Sequence, residues 1–197
     1  TQKTLIKLDL ESLEYIPVLI KELPSASKDN LSFSYEIRDD IFWDDGTPFT
    51  AEDVEFSVKL MLCPLTNNAQ IRSNYSSVIK SIEIDAENNM KFTMHAQDIN
   101  WNNKFIFSDL CMVQKKLWDP ERVLDNLSFA DILSDKFKET EELSDWFNKY
   151  NDADNSYKPK NLVGLGSYKV TEWVASQYIT IERKKQWWGS NDESVYS

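Results

Sequence analysis

The chain has 197 residues, of which 33 are acidic and 22 basic, so its formal net charge at pH 7 is -11. A chain of this length can bury a sizeable core, either as one domain or as two small ones. The excess of negative charge argues against nucleic acid and against an anionic membrane surface as partners. Seven Trp, eight Tyr and ten Phe predict an aromatic-rich core, and flat aromatic faces also suit receptors for varied ligands.

The N-terminal part of the chain gives its first clear secondary-structure signal after Pro24. The residues before Pro24 mix apolar and charged types without a clean period, which indicates a short element. Residues 24–30 have the composition of a polar loop. Phe33, Tyr35 and Ile37 then alternate with polar residues, which predicts a half-buried β-strand.

A turn and a strongly signalled helix follow in residues 41–62. Asp45-Gly46 predicts a tight turn, because Gly reaches backbone angles that other residues avoid. Thr50 stands at the N-cap position, and Asp53 can accept a hydrogen bond from the Thr50 amide. One apolar stripe at helical spacing comprises Val54, Val58, Met61 and Leu62. Pro64 predicts the end of this helix.

The rest of the chain predicts two hairpins and a second amphipathic helix. The hairpins pair residues 78–85 with 90–96 and residues 168–174 with 178–183. Residues 139–150 predict a helix with one apolar face, formed by Leu143, Trp146, Phe147 and Tyr150. These patterns predict an α+β fold with a mixed sheet, hairpins and a few packed helices.

Three segments between these elements have weaker signals. Residues 101–115 are interpreted as a short helix or turn followed by a buried extended segment. Residues 65–77 are predicted to be irregular, and residues 151–160 to form a mobile loop or a crossing between lobes.

Adjacent acidic residues raise the possibility of a glycan-active hydrolase. The pairs are Asp39-Asp40, Asp44-Asp45, Glu52-Asp53 and Glu141-Glu142. Such an enzyme needs two carboxyl groups that face each other across a substrate, and adjacency in sequence does not show that arrangement. Helix capping already accounts for Glu52 and Asp53.

The single histidine, His95, is expected on the polar face of a strand. One His and two distant cysteines do not form a zinc-like ligand set, so neither a metal nor a cofactor is predicted. Cys63 and Cys111 are interpreted as buried free thiols.

Three motifs in order resemble the family 5 extracellular solute-binding proteins, the receptors of bacterial ABC importers for dipeptides, oligopeptides and nickel. Residues 45–54, Asp-Gly-Thr-Pro-Phe-Thr-Ala-Glu-Asp-Val, resemble the family signature. Residues 164–170, Gly-Leu-Gly-Ser-Tyr-Lys-Val, resemble its Gly-x-Gly-x-Tyr strand. Residues 181–183 with Trp187-Trp188-Gly189 resemble the following strand and its aromatic-Gly ending.

The resemblance implies part of a two-lobed, type II periplasmic-binding-protein-like fold. Residues 1–160 would form mostly the smaller subdomain of the first lobe, and residues 161–197 would return into the main part of that lobe, with the second lobe absent. It also implies a non-catalytic receptor for a small solute, expected to be an oligopeptide, with ABC permease subunits as partners. The implied location is periplasmic or extracytoplasmic, and a lipid anchor is one alternative for the full-length protein.

The resemblance further places three stretches at the ligand-facing edge. Tyr75 corresponds to an aromatic near the solute, and Phe107-Ser108-Asp109 to a segment that passes the cleft. Leu165-Gly166-Ser167 corresponds to the turn at the cleft mouth, where Gly lets backbone approach a ligand closely. Two residues depart from the family pattern, because Gln114 and Ser167 stand where Pro is frequent.

Two alternatives to a transport receptor stay open on sequence alone: the glycan-active hydrolase, and a receptor-like interaction module that has lost transport. The implied two-lobed closure predicts that this chain alone binds no peptide tighter than about 1 mM, because one wall desolvates little of a ligand. It also predicts an exposed apolar surface near Tyr168, Trp173 and Trp187.

Overall fold

The computed structural model describes residues 2–156 and 158–190. This part of the chain contains eight strands, namely β1 Ile6–Leu8, β2 Tyr15–Pro17, β3 Ser25–Ala26, β4 Ser32–Glu36, β5 Ile79–Ile84, β6 Lys91–Ala96, β7 Tyr168–Val174 and β8 Tyr178–Arg183. Its α-helices are α1 Ala51–Leu62, α2 Ala69–Ser76, α3 Lys115–Trp118, α4 Phe129–Ile132, α5 Glu141–Asn151 and α6 Ala153–Ser156. Three 3-10 helices cover Trp101–Ser108, Val123–Asn126 and Pro159–Asn161. The predicted α+β class is confirmed.

The largest sheet is antiparallel and has the strand order β3-β4-β6-β5. Phe33 pairs with Met94 and Tyr35 with Phe92, so large apolar side chains from neighbouring strands lie on one face. Tyr35 and Phe92 stack with their ring centroids 4.8 Å apart. This buried face and α1 form the centre of the core.

Helix α1 is buried on nearly every side, whereas the sequence predicted one apolar stripe. Its buried residues include Ser57 and Lys59 as well as the apolar side chains. The helix contacts β5, α2, α3 and α4, so elements from later in the chain cover the faces that the periodicity left to solvent. The predicted turn before α1 is confirmed, since Gly46 has a φ of 80° and the Gly46 amide donates to the Trp43 carbonyl at 2.9 Å.

Two segments predicted without regular structure contain helices. Helix α2 lies in the segment predicted to be irregular, and α6 with a 3-10 turn lies in the predicted loop of residues 151–160. The periodicity of α2 is weak because Tyr75 is its one buried residue. The helix is held instead by contacts of single side chains: the Arg72 guanidinium donates to the Pro64 carbonyl at 3.1 Å, and the Tyr75 hydroxyl donates to Asp109.

The hairpin of β7 and β8 pairs with itself, and every residue of β8 is exposed. Of the three aromatic residues predicted to mark an exposed surface, Tyr168 is 38% exposed and Trp173 is half-buried. Trp187 is 8% exposed, so this part of the prediction is wrong. The Trp187 ring packs beside the Trp188 ring, with centroids 5.0 Å apart, and its Nε1 donates to the Leu165 carbonyl at 2.9 Å. None of the described helices has the length and apolar character to cross a membrane.

Candidate functional site

Asp53, predicted to cap α1, joins three segments of the chain. Its carboxylate accepts hydrogen bonds from the Thr50 amide at 3.1 Å, from Trp43 Nε1 at 3.1 Å and from the Lys115 amide at 2.9 Å. Asp53 is 6% exposed. Burial raises its pKa, and the three donors oppose that rise. The cap predicted from sequence therefore also fixes the end of the extended segment at residues 109–114.

Gln114 holds the Asp-Gly turn from the other side. Its amide donates to Asp45 Oδ1 at 3.0 Å and to Thr47 Oγ1 at 2.9 Å, and its side chain is buried. The sequence marked Gln114 as a departure from the family pattern. The structure gives a reason for an amide here, since Pro has no side-chain donor to reach the turn.

The adjacent acids Glu52 and Asp53 both have partners within the chain. Glu52 pairs with Lys115 at 3.1 Å, and Lys115 also pairs with Asp125 at 2.7 Å beside a cavity of about 330 Å³. Asp53, which also lines this cavity, uses its carboxylate for three donors as described above. A general acid or base must exchange protons with a substrate, so this arrangement does not favour a hydrolase.

Tyr75 and the residues 107–109 form the first group of predicted ligand-facing residues. The hydroxyl of Tyr75 donates to Asp109 Oδ1, which joins α2 to the end of the 3-10 helix. Phe107 is fully buried and meets Tyr35 edge-on at 5.3 Å between centroids. Ser108 is half-buried and Asp109 is exposed. Phe107 therefore supports the core, and Asp109 presents a carboxylate to the surface.

Leu165-Gly166-Ser167 forms the second group. Leu165 and Gly166 are buried and Ser167 is half-buried. The Leu165 carbonyl accepts hydrogen bonds from Trp187 Nε1 and Trp188 Nε1, both at 2.9 Å. This group is therefore held by two indole N–H groups, whereas Tyr75 and Asp109 are joined by a hydrogen bond from a hydroxyl to a carboxylate.

An ion pair ties this turn to the motif at residues 45–54. Asp44 accepts from the Gly164 amide at 3.2 Å and pairs with Lys184, whose ammonium donates to the Gly164 carbonyl at 2.8 Å. The aromatic-Gly ending has a packing reason, because a Cβ at Gly189 would lie 2.5 Å from the Trp187 ring. The three motifs of the sequence therefore meet in space.

The cysteine and histidine predictions have mixed outcomes. Cys63 is buried and free as predicted, but Cys111 is free and exposed, so its predicted burial is wrong. In the alternation of this extended segment, Cys111 lies on the outer side, between the buried Leu110 and Met112. His95 lies on the polar face and is half-buried, with Ser32 Oγ 3.0 Å from its Nδ1 and Glu83 3.2 Å from its Nε2.

A family model described as "Bacterial extracellular solute-binding proteins, family 5 Middle" matches residues 14–196. Among curated proteins, the chain is 24% identical over 164 residues to the oligopeptide-binding protein AppA of Bacillus subtilis. This match covers 83% of this chain and 24% of AppA. It is 27% identical over 165 residues to the oligopeptide-binding protein OppA of the same organism, covering 83% of this chain and 27% of OppA. The chain thus spans about a quarter of the length of these relatives.

The fold is similar to solved structures. One is NikZ from Campylobacter jejuni in complex with Ni(L-His), with a TM-score of 0.64 and 27% identity. The match covers 92% of this chain and 29% of the NikZ chain. This similarity confirms the expectation that the α+β fold is part of a type II periplasmic-binding-protein fold.

Proposed function

The chain belongs to the family 5 bacterial extracellular solute-binding proteins, and from this premise we propose that it forms part of the solute-binding receptor of an ABC importer. The expected solute is a peptide, because the curated relatives AppA and OppA are named as oligopeptide-binding proteins. The observation that carries the proposal is the family match, which extends over nearly the whole chain. The receptor itself would be non-catalytic and would deliver its solute to permease subunits in the membrane.

The location and the division of the chain are part of the same proposal. A receptor of this family would act in the periplasm or another extracytoplasmic space, with a lipid anchor as an alternative to free diffusion. Residues 1–160 would contribute the smaller subdomain of the first lobe, and residues 161–197 would lead into its main part. The two parts are in contact at several places, among them Asp44 with Gly164 and Lys184, and the Arg38 guanidinium over the Trp188 ring.

At the ligand-facing edge, Asp109 and Ser167 would face the solute, and Tyr75, Leu165 and Gly166 would support them, because those three are buried. Phe107 and Ser108 would act from behind this edge, since Phe107 packs in the core. The extended segment begins at Asp109, beside this edge. Its other end would be held by the hydrogen bonds of the Lys115 amide with Asp53 and of Gln114 with Asp45. Ligand closure between two lobes would add the partners and the desolvation that one wall lacks.

The test is calorimetric titration of the complete gene product with pooled peptides of two to ten residues. We expect binding in the micromolar range or tighter, near -8 kcal/mol. The 197-residue chain alone serves as the comparison and is expected to bind no peptide tighter than about 1 mM. The proposal fails if the complete product binds no peptide and no permease or ATPase gene lies beside its own.

A further inference from the structure

A cavity of about 370 Å³ lies apart from the contacts described so far. It is lined by three pieces of the chain: the 3-10 helix Val123–Asn126 with Leu127, the segment of residues 131–140, and the first turn of α5. Among the residues that the structure describes, those that line it include none of the ligand-facing edge and none of the three sequence motifs. The cavity is therefore a second place where a small molecule can be held.

Part of the wall of this cavity is apolar. Val123, Leu127 and Leu143 are each 7 to 9% exposed, and Phe137 is half-buried against the core. Such side chains favour the burial of ligand CH₂ groups, because both surfaces then leave water. A water molecule occupies about 30 Å³, so the volume suits a ligand of about ten non-hydrogen atoms.

Two lysines line the cavity from its exposed side. Lys136 and Lys138 flank Phe137 in the chain, and both are exposed. A turn fixes the backbone that carries them, because Ser134 accepts from the Lys136 amide through its hydroxyl and from the Phe137 amide through its carbonyl, both at 3.1 Å. Neither lysine forms an ion pair with any residue in the described ranges. Two cationic groups are thus placed beside an apolar wall.

The two acids that line the same cavity have partners of their own. Asp131 Oδ2 accepts the Ser128 hydroxyl at 2.6 Å at the start of α4. Glu142 lies in the first turn of α5, an 11-residue helix whose N-terminal amides favour a carboxylate. The charges of the acids are therefore partly balanced by local donors, whereas those of the lysines are not. The unbalanced charge at this cavity is positive.

We propose that this cavity binds a free aliphatic carboxylate, with its chain against the apolar wall and its carboxylate between Lys136 and Lys138. Two ammonium groups can donate charge-assisted hydrogen bonds to the two carboxylate oxygens. The volume fits a chain of about eight carbons, as in octanoate, which has about ten non-hydrogen atoms. This site goes beyond the proposed function, because it is separate from the ligand-facing edge and does not require a peptide.

The experiment titrates the complete gene product with octanoate, 1-octanol and octylammonium in a calorimeter at pH 7 and low ionic strength. The three probes share one alkyl chain and differ in the charge of the head group. We expect octanoate to bind with a Kd of about 0.1 to 1 mM, about tenfold more tightly than octylammonium, with octanol between them. Acetate has the head group without the chain and should bind at least about tenfold more weakly than octanoate.

Charge variants locate the site. The double variant Lys136→Gln, Lys138→Gln should weaken octanoate binding about tenfold, to the affinity of octanol, while Glu142→Gln should strengthen it about twofold. The matched control is the double variant Lys28→Gln, Lys80→Gln, which makes the same change in net charge at exposed positions outside the cavity. It should leave octanoate binding unchanged.

Phe137→Ser tests the apolar wall, and it should weaken octanoate and octanol to the same degree. Thermal unfolding of each variant identifies any loss of binding that comes from a loss of fold. The proposal is overturned if octanoate and octylammonium bind equally, or if octanoate binds the Lys136, Lys138 double variant as tightly as wild type. Peptide titration of that double variant should match wild type, so a failure of this proposal leaves the peptide receptor untouched.

Discussion

The four-stranded sheet and the β7–β8 hairpin are both antiparallel and both alternate in polarity, but they bury their apolar residues to opposite extents. Phe33, Phe92 and Met94 in the sheet are at most 2% exposed. In the hairpin, Ile179 is 48% exposed and Ile181 is 51% exposed, although the register places both beside apolar partners on β7. Pairing of strands is a local event, whereas burial needs a second layer. Alternation of polar and apolar residues therefore predicts that strands pair, but it does not indicate whether a second layer covers them.

The largest expected change in stability comes from Asp53, which lies in the part of the chain that contains α1 and the four-stranded sheet. Replacement by Ala would leave the indole N–H of Trp43 and two backbone amides without their acceptor. Buried donors that lose a charged acceptor are costly, and we expect the free energy of unfolding to fall by about 3 to 5 kcal/mol. Urea denaturation of the 197-residue chain measures the change.

Glu141→Ala is the matched control for Asp53→Ala. Glu141 is also an acid in the first turn of a helix, but it is exposed, so its loss should cost about 0.5 kcal/mol. Equal losses in the two variants would show that Asp53 acts through the helix dipole alone and that its tertiary contacts contribute nothing.

The next largest effect concerns the ion pair between Asp44, which precedes α1, and Lys184, which follows β8. Lys184 and Asp44 are 11% and 18% exposed, and Lys184→Met would leave Asp44 with the Gly164 amide as its partner. We expect a loss of about 2 kcal/mol, because the pair is mostly desolvated. Faster hydrogen exchange at the Gly164 amide should accompany it. Lys169→Met, which removes an exposed pair with Glu182, should cost about 0.5 kcal/mol or less, and a similar loss in both would contradict the buried character of the Asp44 pair.

Asp45 predicts an acid-dependent effect at the turn. Burial opposes it, but donors from Thr47, Lys116 and Gln114 lower the pKa of Asp45 to about 2. Since the pKa is lower in the folded state, the stabilisation is present above the unfolded value of 3.8 and is lost as the pH falls toward 2.

We expect the acid-dependent contribution of Asp45 to be on the order of 1 kcal/mol, less than the full shift, because the side chain is 39% exposed and water screens it. Chemical denaturation of Asp45→Asn and wild type between pH 5 and pH 2 checks the prediction. The stability difference should shrink with acid, and a constant difference would contradict it.

The sequence predicted the elements that local chemistry determines. The Asp45-Gly46 turn, the start of α1 and both hairpins follow from residue types within a few positions of one another. Helix α2 was missed because its attachment depends on Tyr75 and on distant Asp109. The same limit applies to Gln114, whose amide reaches a turn about 70 positions earlier in the chain, and no local pattern encodes that contact.

The candidate site was predictable in part for the same reason. The three motifs identified the stretches, and the structure confirms contacts between residues 44, 164 and 184. The motifs did not reveal which side chains turn inward, so Phe107 and Leu165 were grouped with Asp109 although both are fully buried. Burial of a single side chain depends on the elements packed over it, and those elements come from elsewhere in the chain.

The smallest expected effect is in the β7–β8 hairpin, whose isoleucines are exposed. Ile179→Ser and Ile181→Ser remove apolar side chains that are about half exposed, so each should change the free energy of unfolding by about 0.5 kcal/mol or less. Ile79→Ser is the matched change in the sheet. Ile79 is 0% exposed, and its loss should cost about 3 kcal/mol or more from the cavity and the buried hydroxyl.

Self-association, which increases with protein concentration, is one way in which the exposed face of the hairpin can become covered in solution. Two adjacent isoleucines at this exposure offer a surface for self-association. Equilibrium sedimentation of wild type and of the Ile179→Ser, Ile181→Ser double variant, from about 5 to 500 μM, would detect it. If the hairpin substitutions cost as much as Ile79→Ser at every concentration, the face is covered within a single chain and the contrast between the two regions is wrong. If the cost grows with concentration and the double variant stays monomeric, a second copy covers the face, and the contrast holds for the monomer.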